Sequence, residues 1–175
     1  TVRGSSSEIA LGRYIAREST HQVGSVDRIV LGGYNPNPTK GFQGYIGEAQ
    51  AHGGIYYSTT SAVWDVIQPT ARGGNGRGWI ANREFLQGQL ERGVQRIELK
   101  GESVSEVFRE PLRARSDTAK EIRYLQRYAY EYGYKQVGDT WVKTGDWRAS
   151  RAGRAVGGNV GPMGDLLDDA QSLNR

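Results

Sequence analysis

Apolar and polar residues alternate along this chain with a period that changes from block to block. Ile80, Phe85, Leu86 and Leu90 recur at helical spacing and Gly93 ends the run, which predicts an amphipathic helix over "WIANREFLQGQLERG". The period then drops to two: Val94, Arg96, Glu98 and Lys100 alternate with Gln95, Ile97 and Leu99, as in a strand with one polar face. Ile29-Val30-Leu31 before two glycines predicts a buried strand, and "IYYST" from Ile55 a second. Ser7 is placed to cap a short helix with Ile9, Ala10, Tyr14 and Ile15 as its stripe. "FQGYIGEAQAHGG" predicts another helix, stopped by Gly53 and Gly54, and Ser61 caps one over "SAVWDVI". Ser116 or Asp117 opens a helix whose inner face carries Ile122, Leu125, Tyr128 and Ala129, and "KQVGDTWVKTG" reads as a hairpin about a Gly-Asp turn.

Strands alternating with helices predict one α/β or α+β domain with a small central sheet flanked by helices, a terminal hairpin and a flexible tail. Residues 1–25 are expected to form an N-terminal extension, 26–145 the core, and 146–175 a Gly- and Arg-rich, then acidic, tail. Hydrophobic residues make up 37% of the 175, and 25 are glycine, which favours long loops around a compact centre. The sequence has neither an apolar run of membrane-spanning length nor a basic-then-apolar leader. It opens on Thr1 with Met163 as its single methionine, as expected of a piece of a longer protein.

Charge changes the picture more than composition does. The net charge is +4, and only five of the basic residues are lysine. Arginine's planar fork suits phosphates and carboxylates, so RNA, DNA, a nucleotide or an acidic protein are the partners to expect. Arg72 and Arg77, in the glycine-rich loop "ARGGNGRG", are phosphate-binding candidates together with Arg96. The absence of cysteine excludes disulfides and thiolate metal sites, and two histidines argue against a dedicated zinc site.

One resemblance runs over roughly residues 27 to 142. It is carried by Leu31, Gly32, Tyr34, Tyr45, Ala49, Tyr57, Trp64, Asn82, Phe85, Leu86, Gly93, Ile97, Glu121 and Leu125. In these positions the chain resembles the C-terminal toxin domains of bacterial polymorphic toxins, the filamentous-haemagglutinin-like and contact-dependent growth inhibition proteins. The stretches "NPNPTKGF" and "QPTARGGNGRG" are insertions relative to that pattern. The resemblance implies a secreted module, delivered into the cytoplasm of a target cell and held in check by a cognate immunity protein. Many such modules are nucleases.

Three chemistries fit the residues. In the first, Glu98-x-Lys100 matches half of the PD-(D/E)xK nuclease motif. Glu98 and Asp65 would hold a divalent ion such as Mg²⁺, Lys100 would orient the attacking water, and Glu48 is a further possible carboxylate. In the second, the "STT" after an aromatic strand resembles the Ser-Thr-Ser segment of ADP-ribosyltransferases. Ser58 would support the nicotinamide of NAD, Arg28 the phosphates, and Glu102 or Glu98 the oxocarbenium-like transition state. The third is metal-free RNA cleavage with the 2′-hydroxyl as nucleophile, for which His21, His52, arginines and tyrosines are available. A non-enzymatic binding module of a surface protein is the remaining reading.

Overall fold

The computed structural model describes residues 6–34, 44–59, 63 and 77–145. Within them the chain runs α1 (Ser6–Glu18), β1 (Thr20–Val23), β2 (Arg28–Gly32), α2 (Gly44–His52), β3 (Gly54–Tyr57) and α3 (Arg77–Arg92). It continues with β4 (Arg96–Lys100), α4 (Val104–Arg109), a 3-10 turn at Arg113–Arg115 and α5 (Asp117–Tyr128). A second 3-10 turn at Ala129–Tyr132 leads to β5 (Tyr134–Val137) and β6 (Thr140–Lys143). The expected helix over "SAVWDVI" lies outside the described residues apart from Val63, and so does the tail beyond residue 145. No helix of the described residues is long and apolar enough to cross a membrane.

The six strands form one open sheet in the order β1-β3-β2-β4-β6-β5. β2 lies at its centre, parallel to both β3 and β4, while β1, β6 and β5 add antiparallel pairs at the two sides. This is the mixed α/β architecture that the alternation of periods predicts. A strand parallel to both neighbours is covered on two faces, which is why Arg28–Gly32 is buried throughout.

The main core lies on the face of Ile29, Leu31, Ile97 and Leu99, which meet Phe85, Leu86 and Leu90 of α3 and Ile122, Leu125 and Tyr128 of α5. Trp141, opposite Ile97 in the register, is 1% exposed and closes this core at the hairpin. Burying these side chains is the main stabilising term, each large one contributing about 1.5–3 kcal/mol. On the other face α2 covers the sheet through Ala49 and Glu48.

Three expectations change. The stretch before residue 26 is integral to the body: β1 pairs with β3 over four residues, and α1 packs along α3. The buried stripe of α1 is Ile9, Gly12, Ile15 and Ala16, whereas Tyr14 is more than half exposed. Gly12 sets that stripe because a Cβ there would lie 2.7 Å from Ile80 Cγ2, so the helices approach where a side chain is missing. Val94 is fully buried, although the alternation puts it with the polar face of β4. It precedes the strand, so strand parity does not govern it.

Gly133 locks the terminal hairpin. Its φ is +88°, its carbonyl accepts from the amides of Thr144 and Gly145, and a Cβ would stand 2.5 Å from the Gly145 carbonyl oxygen. Gly133→Ala is therefore expected to cost about 2 kcal/mol or more, because a left-handed conformation and a backbone clash add. Gly138→Ala, at φ +63° in open space, should cost only about 1 kcal/mol. Urea midpoints of the two variants check the difference.

Candidate active site

The polar face of β4 holds the residues that the sequence singles out. Glu98 Oε2 accepts from Arg28 Nη1 of β2 at 2.5 Å, Arg96 Nη1 stands 3.5 Å from Glu98 Oε1, and Lys100 Nζ 3.8 Å from Oε2. Arg28 also donates from Nε to the Gly53 carbonyl at 2.9 Å and reaches Glu48 at 3.5 Å. Glu48 in turn meets His52 Nδ1 at 3.3 Å, one turn along α2. So Glu98, Lys100, Arg96, Arg28 and Glu48 do converge. What they build is a network in which a nearly buried arginine already bonds the Glu98 carboxylate. Asp65 and Arg72 lie outside the described residues, and of Arg77 only the backbone is described. Among the described residues no cluster of three or more His, Asp or Glu is arranged to hold a metal ion.

A cleft of about 690 Å³ opens at the carboxyl ends of β2 and β3. In sheets with parallel strands this is where ligands bind, beside the point at which the connections diverge to either side of the first strand. Here the connection from β2 leads to β3 on one flank and the next leads to β4 on the other. Gly32 ends β2 at the cleft and Tyr34 follows it, Ser58 and Thr59 follow β3, and α5 presents Asp117, Thr118 and Glu121. Ser116 caps α5 by accepting from the Ala119 amide, and Thr118 donates to the Gly32 carbonyl at 3.1 Å, which ties the helix to the strand end.

Glu121 is 8% exposed. Burial, reinforced by the nearby charge of Asp117 and opposed by a hydrogen bond from Asn82, pushes its carboxyl up from 4.5 to about 8. At neutral pH it holds a proton. Asn82 Oδ1 and the Tyr57 hydroxyl are buried with no hydrogen-bond partner among the described residues, although both residues line the cleft. Buried polar atoms left unpaired cost free energy, so a cleft that keeps two polar atoms this way is suited to receive polar partners from outside. Tyr45 donates to the Tyr57 carbonyl at 2.7 Å, and burial raises both phenols well above their ordinary range. At the rim Arg113 forms a bidentate pair with Glu102.

The structure thus separates the candidates. Ser58 and Glu102 reach the cleft or its rim; Arg28 sits below the sheet surface with Glu98 and Glu48. His21 stacks on Tyr56 at 5.0 Å, with its Nε2 3.0 Å from the Ser58 carbonyl, and His52 is an exposed helix end. Among the tyrosines of the C-terminal half, Tyr124, Tyr128, Tyr132 and Tyr134 are buried and Tyr130 is exposed. Sequence reading missed Glu121 as chemistry. Its signal was present: an acid one turn before Leu125 and three residues after Thr118, on the inner stripe of an amphipathic helix.

Protein-family models, curated proteins and solved structures, each compared with the chain, give no match. The chain is identified at the level of its fold, a mixed α/β domain with an open six-stranded sheet flanked by helices.

Proposed function

We propose that this chain is a toxin effector domain of the polymorphic-toxin type that cleaves RNA by metal-free acid–base chemistry in the carboxyl-end cleft. The observation that carries the reading is Glu121, a carboxyl that keeps its proton to about pH 8 while lining an open cleft beside unpaired polar atoms. A general acid works best when its pKa lies near the working pH. Asp117, one turn earlier, exposed at the cleft and 3.6 Å from Lys120 Nζ, serves as the base. In this scheme Asp117 takes the proton of a ribose 2′-hydroxyl, the freed oxygen attacks the adjacent phosphorus, and Glu121 protonates the departing 5′-oxygen. The products are a 2′,3′-cyclic phosphate and a free 5′-hydroxyl end. Gly32, Tyr34, Tyr45, Tyr57, Asn82 and Glu121, all among the residues that carry the family resemblance, line this one cleft.

The test is incubation of the domain with total RNA and with plasmid DNA, each with Mg²⁺ and with EDTA. RNA loss in both buffers with intact plasmid is the expected result, since DNA lacks the nucleophile. Loss of either substrate with Mg²⁺ alone would return the chemistry to a metal site. A second reading, NAD consumption, draws on Ser58 and the Glu102–Arg113 pair at the same cleft. Nicotinamide release from NAD with intact RNA would favour it, and none of these effects would favour a binding module.

A further inference from the structure

On the side that carries α2, that helix packs mainly on β2 and β3 and touches β4, and among the described residues Arg96 of β4 and Lys135 and Val137 of β5 stay exposed. The register places Arg28, Arg96, Val142 and Lys135 in one row across four strands, because paired residues point to the same side of a sheet. Val30, Glu98, Thr140 and Val137 form the next row, and Lys100 the one after on β4. Neighbouring strands lie about 4.8 Å apart, so Arg96 and Lys135 stand roughly 10 Å from each other with only Val142 between them.

The charges in this region do not balance. Among the described residues, Arg28, Arg96, Lys100 and Lys135 stand on this side against the two carboxylates Glu48 and Glu98, an excess of two positive charges. Arg28 and Glu98 satisfy each other at depth, so the surplus falls on the outer residues. Arg96 is half exposed, Lys135 is exposed and joins no ion pair among the described residues, and Val137 is 59% exposed. A sheet face whose outer groups are cations with only the small apolar side chains of Val142 and Val137 among them is a poor protein interface, because protein interfaces concentrate large apolar and aromatic groups. It suits a flexible chain of regularly spaced negative charges, whose binding is driven by release of condensed counterions.

We propose that the open face of β4, β6 and β5 holds the phosphodiester backbone of single-stranded RNA through Arg96, Lys135 and Lys100. The choice of RNA rests on the cleft reading above. Lys100 is the last residue of β4 and lies at the carboxyl edge, the edge at which the cleft opens, so a strand held on this face runs toward the cleft.

The test measures binding of a labelled oligoribonucleotide of about 20 nucleotides to the full chain by fluorescence anisotropy. All proteins carry Glu121→Gln so that the RNA stays intact. Adding Arg96→Gln and Lys135→Gln is expected to weaken binding at least ten-fold at about 0.1 M salt. It should also flatten the slope of log K against log salt by about 1.4, at roughly 0.7 per lost contact to a single strand. Removing the same charge by Arg17→Gln and Arg109→Gln should change affinity less than two-fold. Equal weakening by both pairs would reduce the effect to net charge and overturn the proposal, as would binding indifferent to Arg96 and Lys135. An acidic polypeptide bound as tightly, with the same dependence on both side chains, would overturn the assignment to RNA. Binding through this face by a protein that cleaves nothing leaves the face standing and removes only the cleft chemistry.

Discussion

Glutamine in place of Glu121 is expected to lower RNA cleavage by roughly 10²–10⁴-fold, the usual contribution of a positioned general acid. It should also make the folded domain more resistant to alkaline pH. The second effect follows from linkage. Folded, the carboxyl holds its proton to about pH 8; unfolded, it releases it near 4.5. Between these values the folded state binds more protons, so the stabilising contribution is complete below 4.5 and is lost as pH rises through about 8. The slope reaches about 1.4 kcal/mol per pH unit. The glutamine variant has no proton to release, so its stability curve should be flatter and cross above the parent's before pH 8. Denaturant unfolding from pH 5 to 8.5 measures this with no substrate present. Parallel curves for the two proteins would mean that Glu121 titrates like an ordinary carboxyl, and its role as acid would fall with that. For the parent enzyme the rate should decline above about pH 8, where the acid form disappears.

Arg28→Met is the largest expected loss of stability. Arg28 and Glu98 are 6% and 12% exposed at their side chains, and Arg28 also serves Glu48 and the Gly53 carbonyl. Removing one partner of a buried pair typically costs about 3–5 kcal/mol, because the remaining charge stays desolvated. Here the lower end applies, since Arg96 and Lys100 remain near Glu98. Adding Glu98→Gln to Arg28→Met should recover part of the loss, the sign of a direct coupling. Equilibrium unfolding of the two single variants and the double variant gives that coupling. A loss below 1 kcal/mol for Arg28→Met would show that the pair contributes little, and Glu98 would again be available as a metal carboxylate.

Much of the framework was legible because burial imposes its period on the sequence. α3 and the face of β4 follow from Ile80, Leu86, Leu90, Ile97 and Leu99, and Ser116 announces α5. β1 escaped because "THQV" carries no apolar run; it becomes a strand only by pairing with β3. α4 is short, although its capping box of Ser103 and Glu106 was readable. The polar side chains were harder. Glu98-x-Lys100 has the right spacing for metal chemistry, yet spacing along one strand cannot reveal that Arg28 of a neighbouring strand already occupies the carboxylate. Glu121 shows the reverse: its place on the inner stripe of α5 was readable, but its chemistry arises from the burial that α5, α3 and the end of β2 impose together.

The pairing of β2 with β4 has a consequence for how the molecule comes into being. Arg28 and Glu98 are 70 positions apart, and the central strand has its full complement of partners only when β4 arrives. A chain emerging from a ribosome or threaded through a pore, N-terminus first, carries β2 with one flank unpaired until residue 100 is out. Such long-range closure is slow relative to local helix formation. Throughout that interval the apolar edge of the nascent sheet is open to whatever holds chains unfolded.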